Sequence, residues 1–345
     1  MFDLVVASYN DRASWNEYAH CHPKAHLYHD FRWRDVFRES FGSRCFYLMT
    51  KEEGRVTGVL PLVLMESAIM SRCLTSLPFL NYGGIIAEND GAASFLVDSA
   101  AALAGELKAR YIEMRNLEKL NFLQETREHK VTMLLKLENS AESQWLKLNA
   151  KIRNEVRKAE KSGLTINSGK DELLDSFYTV FSRNMRDLGT PATGKIFFKT
   201  ILKHFPGESR IFIVAINNRP IAAAFSLSCN KSMEAPWASS VRGFNRLCPN
   251  EFIYWHMIKH AIENKIGRFD FGRCTKDSGT YRFKKQWAPE EKQLYWQYRS
   301  VSGSGLPSED PKQGRFGPFI WLWKRLPLSV ANSIGPYIAR QLTTF

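Results

Sequence analysis

The same order of elements runs twice along this chain. In "CFYLMTKEEGRVTGVLPLVLMES" two β-rich runs meet at the turn signal Glu53-Gly54, which reads as a hairpin. The Pro- and Gly-containing "SLPFLNYGG" follows as a loop, "GAASFLVDSAAALAGELKA" as a helix and "RYIEMR" as a strand. Further on, "RIFIVAINNRPIAAAFSLSCN" is a hairpin around Asn217-Asn218, "WASSVRGFNRLCPN" a loop, "EFIYWHMIKHAIENK" a helix and "GRFDFGR" a strand. The offset is about 165 residues from Phe46 to Ile211 and about 158 from Tyr111 to Phe269, too long for a solenoid repeat and right for a duplicated domain. A chain of 345 residues with 44% hydrophobic content can bury two cores. The expected organisation is α/β (α+β): two tandem domains of mixed sheet with flanking helices, spanning 1–140 and 141–300. A linker over 301–315 and a basic aromatic tail over 316–345 follow.

Local signals fill in the second copy. Asn250 is placed to cap its helix, Glu251 suits the positive helix end, and Gly267 suits a left-handed exit. Phe252, Trp255, Ile258, Ala261 and Ile262 give that helix one buried stripe. Ahead of it, "WLKLNAKIRNEVRKAEKSG" carries Trp145, Leu148, Ile152, Val156 and Ala159 at helical spacing, with Lys147, Lys151, Arg153, Arg157, Lys158 and Lys161 outnumbering Glu155 and Glu160. This basic amphipathic helix fits either a solvated face or a groove for phosphates. The tail, with Trp321, Trp323, Lys324, Arg325 and Arg340 and no acid after Asp310, is too broken to span a bilayer. It suits either a helix that closes the core or an anionic membrane surface.

A net charge of +13 favours an anionic partner, without choosing among RNA, nucleotide diphosphates and acidic lipid. Six cysteines at wide spacings, with no CxxC pair, describe free thiols of a reducing compartment. The opening "MFDLVVASYNDRASW" turns polar at once, so the expected location is cytoplasmic. In "HCHPKAHLYH", which holds His20, Cys21, His22, His26 and His29, the pair His22 and His26 has the i,i+4 spacing of a metal-binding helix face, but Pro23 and the lack of a nearby acid favour a solvated or half-buried helix start. Cys274 follows a strand without an evident base, and reads as a small buried thiol.

No GxxxxGK[ST], HExxH or GxSxG occurs, which removes P-loop, zincin and α/β-hydrolase chemistry. What stands out is "TYRFKKQW", where Arg282, Lys284 and Lys285 alternate imperfectly with Tyr281, Phe283 and Trp287. A half-buried strand would explain the aromatics, and the same short segment brings an aromatic floor and cationic heads together.

Together with "SLPFLNYGG", "LNAKIRNEVRKAEKSGL" and "RNMRDLGTP", the segment "FDFGRCTKDSGTYRFKKQW" resembles the FemAB-like branch of the GNAT superfamily, from about His29 to Arg340. More narrowly it is similar to FemAB-related proteins of PEP-CTERM and exopolysaccharide systems. The resemblance implies two GNAT-like domains and transfer of an amino acid from aminoacyl-tRNA to an amine of an envelope precursor, with no covalent enzyme intermediate. It places the family's catalytic Phe-Lys pair on Phe283 and Lys284, with the lysine expected to be an ordinarily charged ammonium at neutral pH. Arg186 matches an arginine that holds the acceptor's phosphates, Trp33 an aromatic of the acceptor groove, and Lys285 a second cation. Arg282 joins these as a substrate-binding residue, and Tyr82, with Gly83 and Gly84, falls in a loop that approaches the groove. Cys274, where Ser is expected, and Ala288, where Gly is expected, depart from the narrower group.

"VRGFNRLCPN" lacks the Gly-rich loop that binds the pyrophosphate of coenzyme A at a helix N-terminus. The expectation is therefore an acyltransferase with no bound cofactor and no metal, using aminoacyl-tRNA or another acyl donor as cosubstrate. Its anionic donor or acceptor is a tRNA, a nucleotide sugar or a lipid diphosphate, and residues 316–345 offer a peripheral contact with the inner face of the cell membrane. Two alternatives stand beside it: a CoA- or carrier-protein-dependent acyltransferase that decorates exopolysaccharide, and a non-catalytic membrane-peripheral scaffold.

Overall fold

The computed structural model describes residues 1–67, 71–123, 125–301 and 317–342. The linker expected over 301–315 lies outside the described residues apart from Val301. The elements, in chain order, begin with β1 (Phe2–Val6), α1 (Arg12–Cys21), α2 (Trp33–Phe41), β2 (Cys45–Glu52), β3 (Arg55–Met65), β4 (Cys73–Thr75) and β5 (Ile86–Ala87). Next come α3 (Asp90–Glu106), β6 (Tyr111–Asn116), β7 (Thr126–Lys136), α4 (Ala141–Lys147), α5 (Ala150–Lys161), β8 (Thr165–Gly169), α6 (Leu174–Leu188) and α7 (Lys195–His204). The remainder are β9 (Ser209–Ile216), β10 (Arg219–Cys229), β11 (Ser232–Ser240), α8 (Pro249–Glu263), β12 (Arg268–Asp270), β13 (Cys274–Thr275), α9 (Gly279–Lys285), β14 (Glu290–Ser300), α10 (Gly317–Trp323) and α11 (Leu328–Ala339).

The described residues fall into two compact units, one drawn from 1–130 with 293–301 and 340–342, the other of 131–292 with 317–339. In the first, the strand order is β1-β2-β3-β4-β6-β14. Strand β4 runs antiparallel to β3 and parallel to β6, which the crossover through α3 permits. Helix α3 starts on Asn89, whose side chain accepts the Ala92 N–H, and buries Ala92, Leu96, Ala100 and Ala104 at four-residue spacing. These small residues let the helix lie close to the sheet: a Cβ on Gly58 would stand 3.0 Å from Leu96. Leu48, Leu60, Leu62, Leu74 and Ile112 meet it from below. Strand β14 pairs with β6, Tyr295 against Asn116, so the last strand before residue 301 completes this first sheet.

The second unit has strand order β7-β12-β11-β10-β9-β8. Here β11 runs antiparallel to β10 and parallel to β12 across the crossover helix α8. Strands β2, β3, β4 and β6 are thus matched in order and sense by β9, β10, β11 and β12, and the repeat read from the sequence is a repeat of topology. Ile152, Val156 and Ala159 of α5 and Phe252, Ile258 and Ala261 of α8 share one core with this sheet.

Several local expectations change. The loop expected from Trp237 is strand as far as Ser240, because these residues pair with Ala222 to Phe225. Pro249 takes the first turn of α8 and Cys248, at φ 57°, precedes it with no side-chain cap, so Asn250 lies inside the helix. The left-handed exit falls on Lys265, two residues before Gly267. The basic amphipathic stretch is two helices, since Leu148 is extended and Asn149 caps α5 by accepting the Ile152 N–H. His22 ends α1 in extended backbone, so His22 and His26 share no helix face; the described residues contain no group of His, Cys, Asp or Glu able to hold a metal.

Among the described residues no helix is long and apolar enough to cross a membrane. In the second unit α11 packs on α6, with Pro336 against Gly194 at the start of α7, and Ile320 of α10 lies against Gly189 at the end of α6. Trp323, Ala331, Gly335 and Ala339 are buried. Gly189, which ends α6 at φ +83°, leaves room where a Cβ would meet Ile320 at 2.6 Å.

Candidate active site

In the second unit the segment that carries the Phe-Lys pair is a helix and not a strand. Ser278 begins α9 by accepting the Tyr281 N–H. One face turns Tyr281 and Lys284 inward, while Arg282 and Lys285 stay exposed. Phe283 is half-buried, its ring 5.3 Å from that of Tyr254, which stacks on Phe271. The aromatics form the floor that α9 sits on, and the two exposed cations lie on its outer side.

Lys284 is 4% exposed, an unusual place for an ammonium. Its Nζ donates to the carbonyls of Gly272, at 2.7 Å, and Arg273, at 3.0 Å. Those carbonyls are held in turn by Asp270, whose Oδ1 accepts from the Gly272 N–H at 2.8 Å and from Thr132 Oγ1. Gly272 sits at φ +71°, a conformation that lets the chain turn both carbonyls toward the lysine. Glu234 is the register partner of Asp270 on the neighbouring parallel strand. Burial lowers the Lys284 pKa below the ordinary lysine value; Cys274, Asp270 and Glu234 oppose that shift and Arg273 adds to it. The expectation of an ordinary ammonium is corrected accordingly. An ammonium has three donors, and two are engaged here.

The neighbouring cations are differently placed. Lys285 Nζ donates to Tyr281 Oη at 3.1 Å, and that hydroxyl donates to Glu291 at 2.6 Å. Arg282 has no side-chain hydrogen bond among the described residues. Arg186, in the last turn of α6, donates to Asp187 through Nε and Nη2 and to the Leu326 carbonyl through Nη1. It ties α6 to the turn between α10 and α11. Cys274 is buried in β13. The sequence reading passed over Thr132, Asp270 and Gly272, although "DFG" after a strand, an Asp two residues before an accepting position and a Gly at the turn, was the signal.

Trp33 and Tyr82 belong to the first unit. A cavity of about 160 Å³ there is lined by Lys24, His26, His29, Tyr82, Gly84 and Asn116 among others. Trp33 does not reach it: the ring is fully buried and donates its indole N–H to the Leu27 carbonyl. It supports the wall through Tyr28, whose ring lies 5.6 Å from Trp33 and 5.3 Å from Tyr82. Gly84 is needed for close approach, since a Cβ would fall 1.9 Å from Asn116 Oδ1 and 2.9 Å from the Arg115 carbonyl oxygen.

His29 closes the back of this cavity, buried where a solvated or half-buried start was expected. Its Nδ1 accepts the His26 N–H and its Nε2 lies 3.1 Å from the Gly84 carbonyl, which together require the neutral Nε2–H tautomer. Burial pushes its pKa down from 6.5 to about 4. The unfolded chain therefore binds an extra proton between those values. Stability is whole above pH 6.5 and falls as pH drops toward 4, by on the order of 3 kcal/mol. Denaturant unfolding on either side of that window should show the loss, and His29→Gln should flatten it; an unchanged slope in the variant would assign the loss elsewhere.

Residues 147–285 match the acetyltransferase (GNAT) domain family. The chain carries an acyltransferase domain of the GNAT type. No curated protein sequence matches it. Among solved structures it is similar to the crystal structure of FemX, with a TM-score of 0.65 and 15% identity over 86% of this chain and 97% of that one. It is similar also to a tandem GNAT protein from the clavulanic acid biosynthesis pathway, with a TM-score of 0.58 and 10% identity over 88% and 99% of the two chains. For L-PGS from Bacillus licheniformis the TM-score is 0.55 and the identity 10%, over 93% and 96%. At these identities the likeness shows the fold: mixed α/β, of the tandem GNAT kind. Lys284 lies within the matched domain.

Proposed function

We propose that the protein is a FemAB-like transferase that moves an acyl or aminoacyl group onto an amine of a cell-envelope or exopolysaccharide precursor, in the manner of proteins of PEP-CTERM systems. The observation that carries this reading is Lys284: a buried ammonium fixed by two carbonyls, with a third donor left for a substrate oxygen. In the reaction the acceptor amine attacks the acyl carbon, the C–N bond forms and the carbonyl oxygen takes up negative charge. Collapse breaks the ester C–O bond, and the proton lost by nitrogen ends on the leaving ribose oxygen. A hydrogen bond from Lys284 to either oxygen lowers the barrier most where water is excluded, and Phe283 supplies the dry wall.

The other residues take supporting roles in this proposal. Lys285 and Arg282 face the anionic donor, a tRNA being the favoured one. Arg186 meets the acceptor's phosphates with the N–H groups that Asp187 and Leu326 do not use. Tyr82 and the cavity of the first unit, backed by Trp33, receive part of the acceptor, whose phosphates belong to a nucleotide sugar or a lipid diphosphate.

Coenzyme A fits this chain less well. Burial, followed by the charge of Glu155, raises the pKa of Glu251, whose carboxyl group sits in the first turn of α8. A helix start already answered by a carboxylate is a poor seat for pyrophosphate.

The active form is the charged lysine, and its pKa lies below 10.5, so turnover should fall as pH rises through a value lower than that of an ordinary lysine. Cys274→Ser should keep the rate near neutral pH, measured as acyl release from an aminoacyl ester donor in the presence of acceptor amine, while the alkaline limb moves down because Cys274 no longer opposes the effect of burial on Lys284. An acyl-enzyme seen by intact mass on Cys274, or a rate abolished in Cys274→Ser, would replace direct transfer by a thioester route.

A further inference from the structure

The C-terminal helices of the second unit pack by one face only. In α11 the buried positions Ala331, Gly335 and Ala339 follow a four-residue spacing, and a second stripe of Val330, Ile334 and Tyr337 looks outward, with Tyr337 65% exposed. In α10 Trp323 turns inward while Trp321 and Leu322 are 59% and 55% exposed. The body beneath adds to the apolar surface where the tail docks: Leu188 precedes Gly189, against which Ile320 packs, and Ile196 follows the Gly194 that meets Pro336. Scattered exposed apolar residues need no account, but this many on two short helices and their seat is a patch of the kind that marks a contact surface.

Charge says what kind of surface. Residues 317–339 contain Lys324 and Arg325 and no acid, and α7 exposes Lys199 one turn from Ile196. Arg325 lies over the Trp321 ring at 3.7 Å and donates to the Trp321 carbonyl, so one cation is fixed to the most exposed tryptophan of the patch. A symmetric contact between two copies would set these cations against each other. Exposed Trp and Tyr rings with aliphatic neighbours and long cationic side chains match the headgroup layer, where rings sit at the boundary and cations reach phosphate.

We infer that the outer face of α10 and α11, with Leu188 and Ile196, docks the protein on an anionic lipid bilayer. The contact is peripheral and stands apart from the acyl-transfer proposal: it uses neither α9 nor the cavity of the first unit.

The test is co-sedimentation of the full chain with vesicles of phosphatidylcholine alone and of phosphatidylcholine with phosphatidylglycerol, with tryptophan emission followed in parallel. Binding should require phosphatidylglycerol, weaken with salt and shift the emission to the blue. Each cation at such a surface contributes enough that the double change Lys324→Gln, Arg325→Gln should weaken binding by about thirtyfold. Trp321→Ser with Leu322→Ser should abolish the blue shift, and Ile334→Ser should weaken binding by itself, all with unaltered melting because the positions are exposed. Lys284→Ala should bind vesicles as the parent does. Vesicle binding unaffected by these surface changes would overturn the inference. So would equal binding to both vesicle types, or a lipid-free dimer that the same changes dissociate.

Discussion

Lys284→Ala should lower turnover by about a hundredfold or more, the usual loss when one preorganised oxyanion contact is removed. The fold should survive, because two opposed terms nearly offset. The change leaves the Gly272 and Arg273 carbonyls without their donor, which costs about 1–3 kcal/mol, and it also removes a charge that burial had made unfavourable. Lys284→Met keeps the volume without the charge and should lose as much activity, whereas a purely structural lysine would leave the methionine variant active. Near-normal rates in either variant, with unchanged melting, would remove Lys284 from the chemistry.

Arg115→Met should destabilise the protein by about 3–5 kcal/mol, the largest stability effect expected of a single change in the first unit. Arg115 and Glu113 are both fully buried on β6 and joined at 2.8 Å. The guanidinium also donates to the Leu80 carbonyl and lies 4.3 Å from the Trp296 ring centroid. Removing the cation leaves the Glu113 carboxylate buried and uncompensated. Adding Glu113→Gln should therefore recover much of the loss, and a double-mutant cycle by urea unfolding measures that coupling. Additive effects would show that the two charges do not depend on each other.

The duplication was legible because hairpins, helices and strands each leave a local period, and the same periods recurred at nearly constant offset. Pairing direction was not: that β4 and β11 run parallel to β6 and β12 depends on where the crossover helices return the chain, which no local pattern states. Lys284 stood out because a charge between aromatics is conspicuous. Its burial did not, since the carbonyls that hold it belong to Gly272 and Arg273, and carbonyl direction is set by the φ of a single glycine and the grip of Asp270. His29 was lost in a run of polar residues for the same reason: its neutral state comes from burial, and its tautomer from the His26 N–H and the Gly84 carbonyl 55 positions away. The stripe of α11 and the outward turn of Trp321 likewise required the tail's packing partner, α6, to be seen.

The central claim is that α9 presents a catalytic ammonium to an acyl ester donor. Binding of a non-hydrolysable aminoacyl-tRNA acceptor-stem analogue and of acetyl-CoA, across a salt series, with the parent protein and Lys284→Ala, tests it most directly. The account predicts selective binding of the stem analogue, a salt dependence set by the exposed cations and a further loss in the variant that persists at high salt. Tight binding of acetyl-CoA, or RNA binding governed by salt alone and indifferent to Lys284, would contradict it.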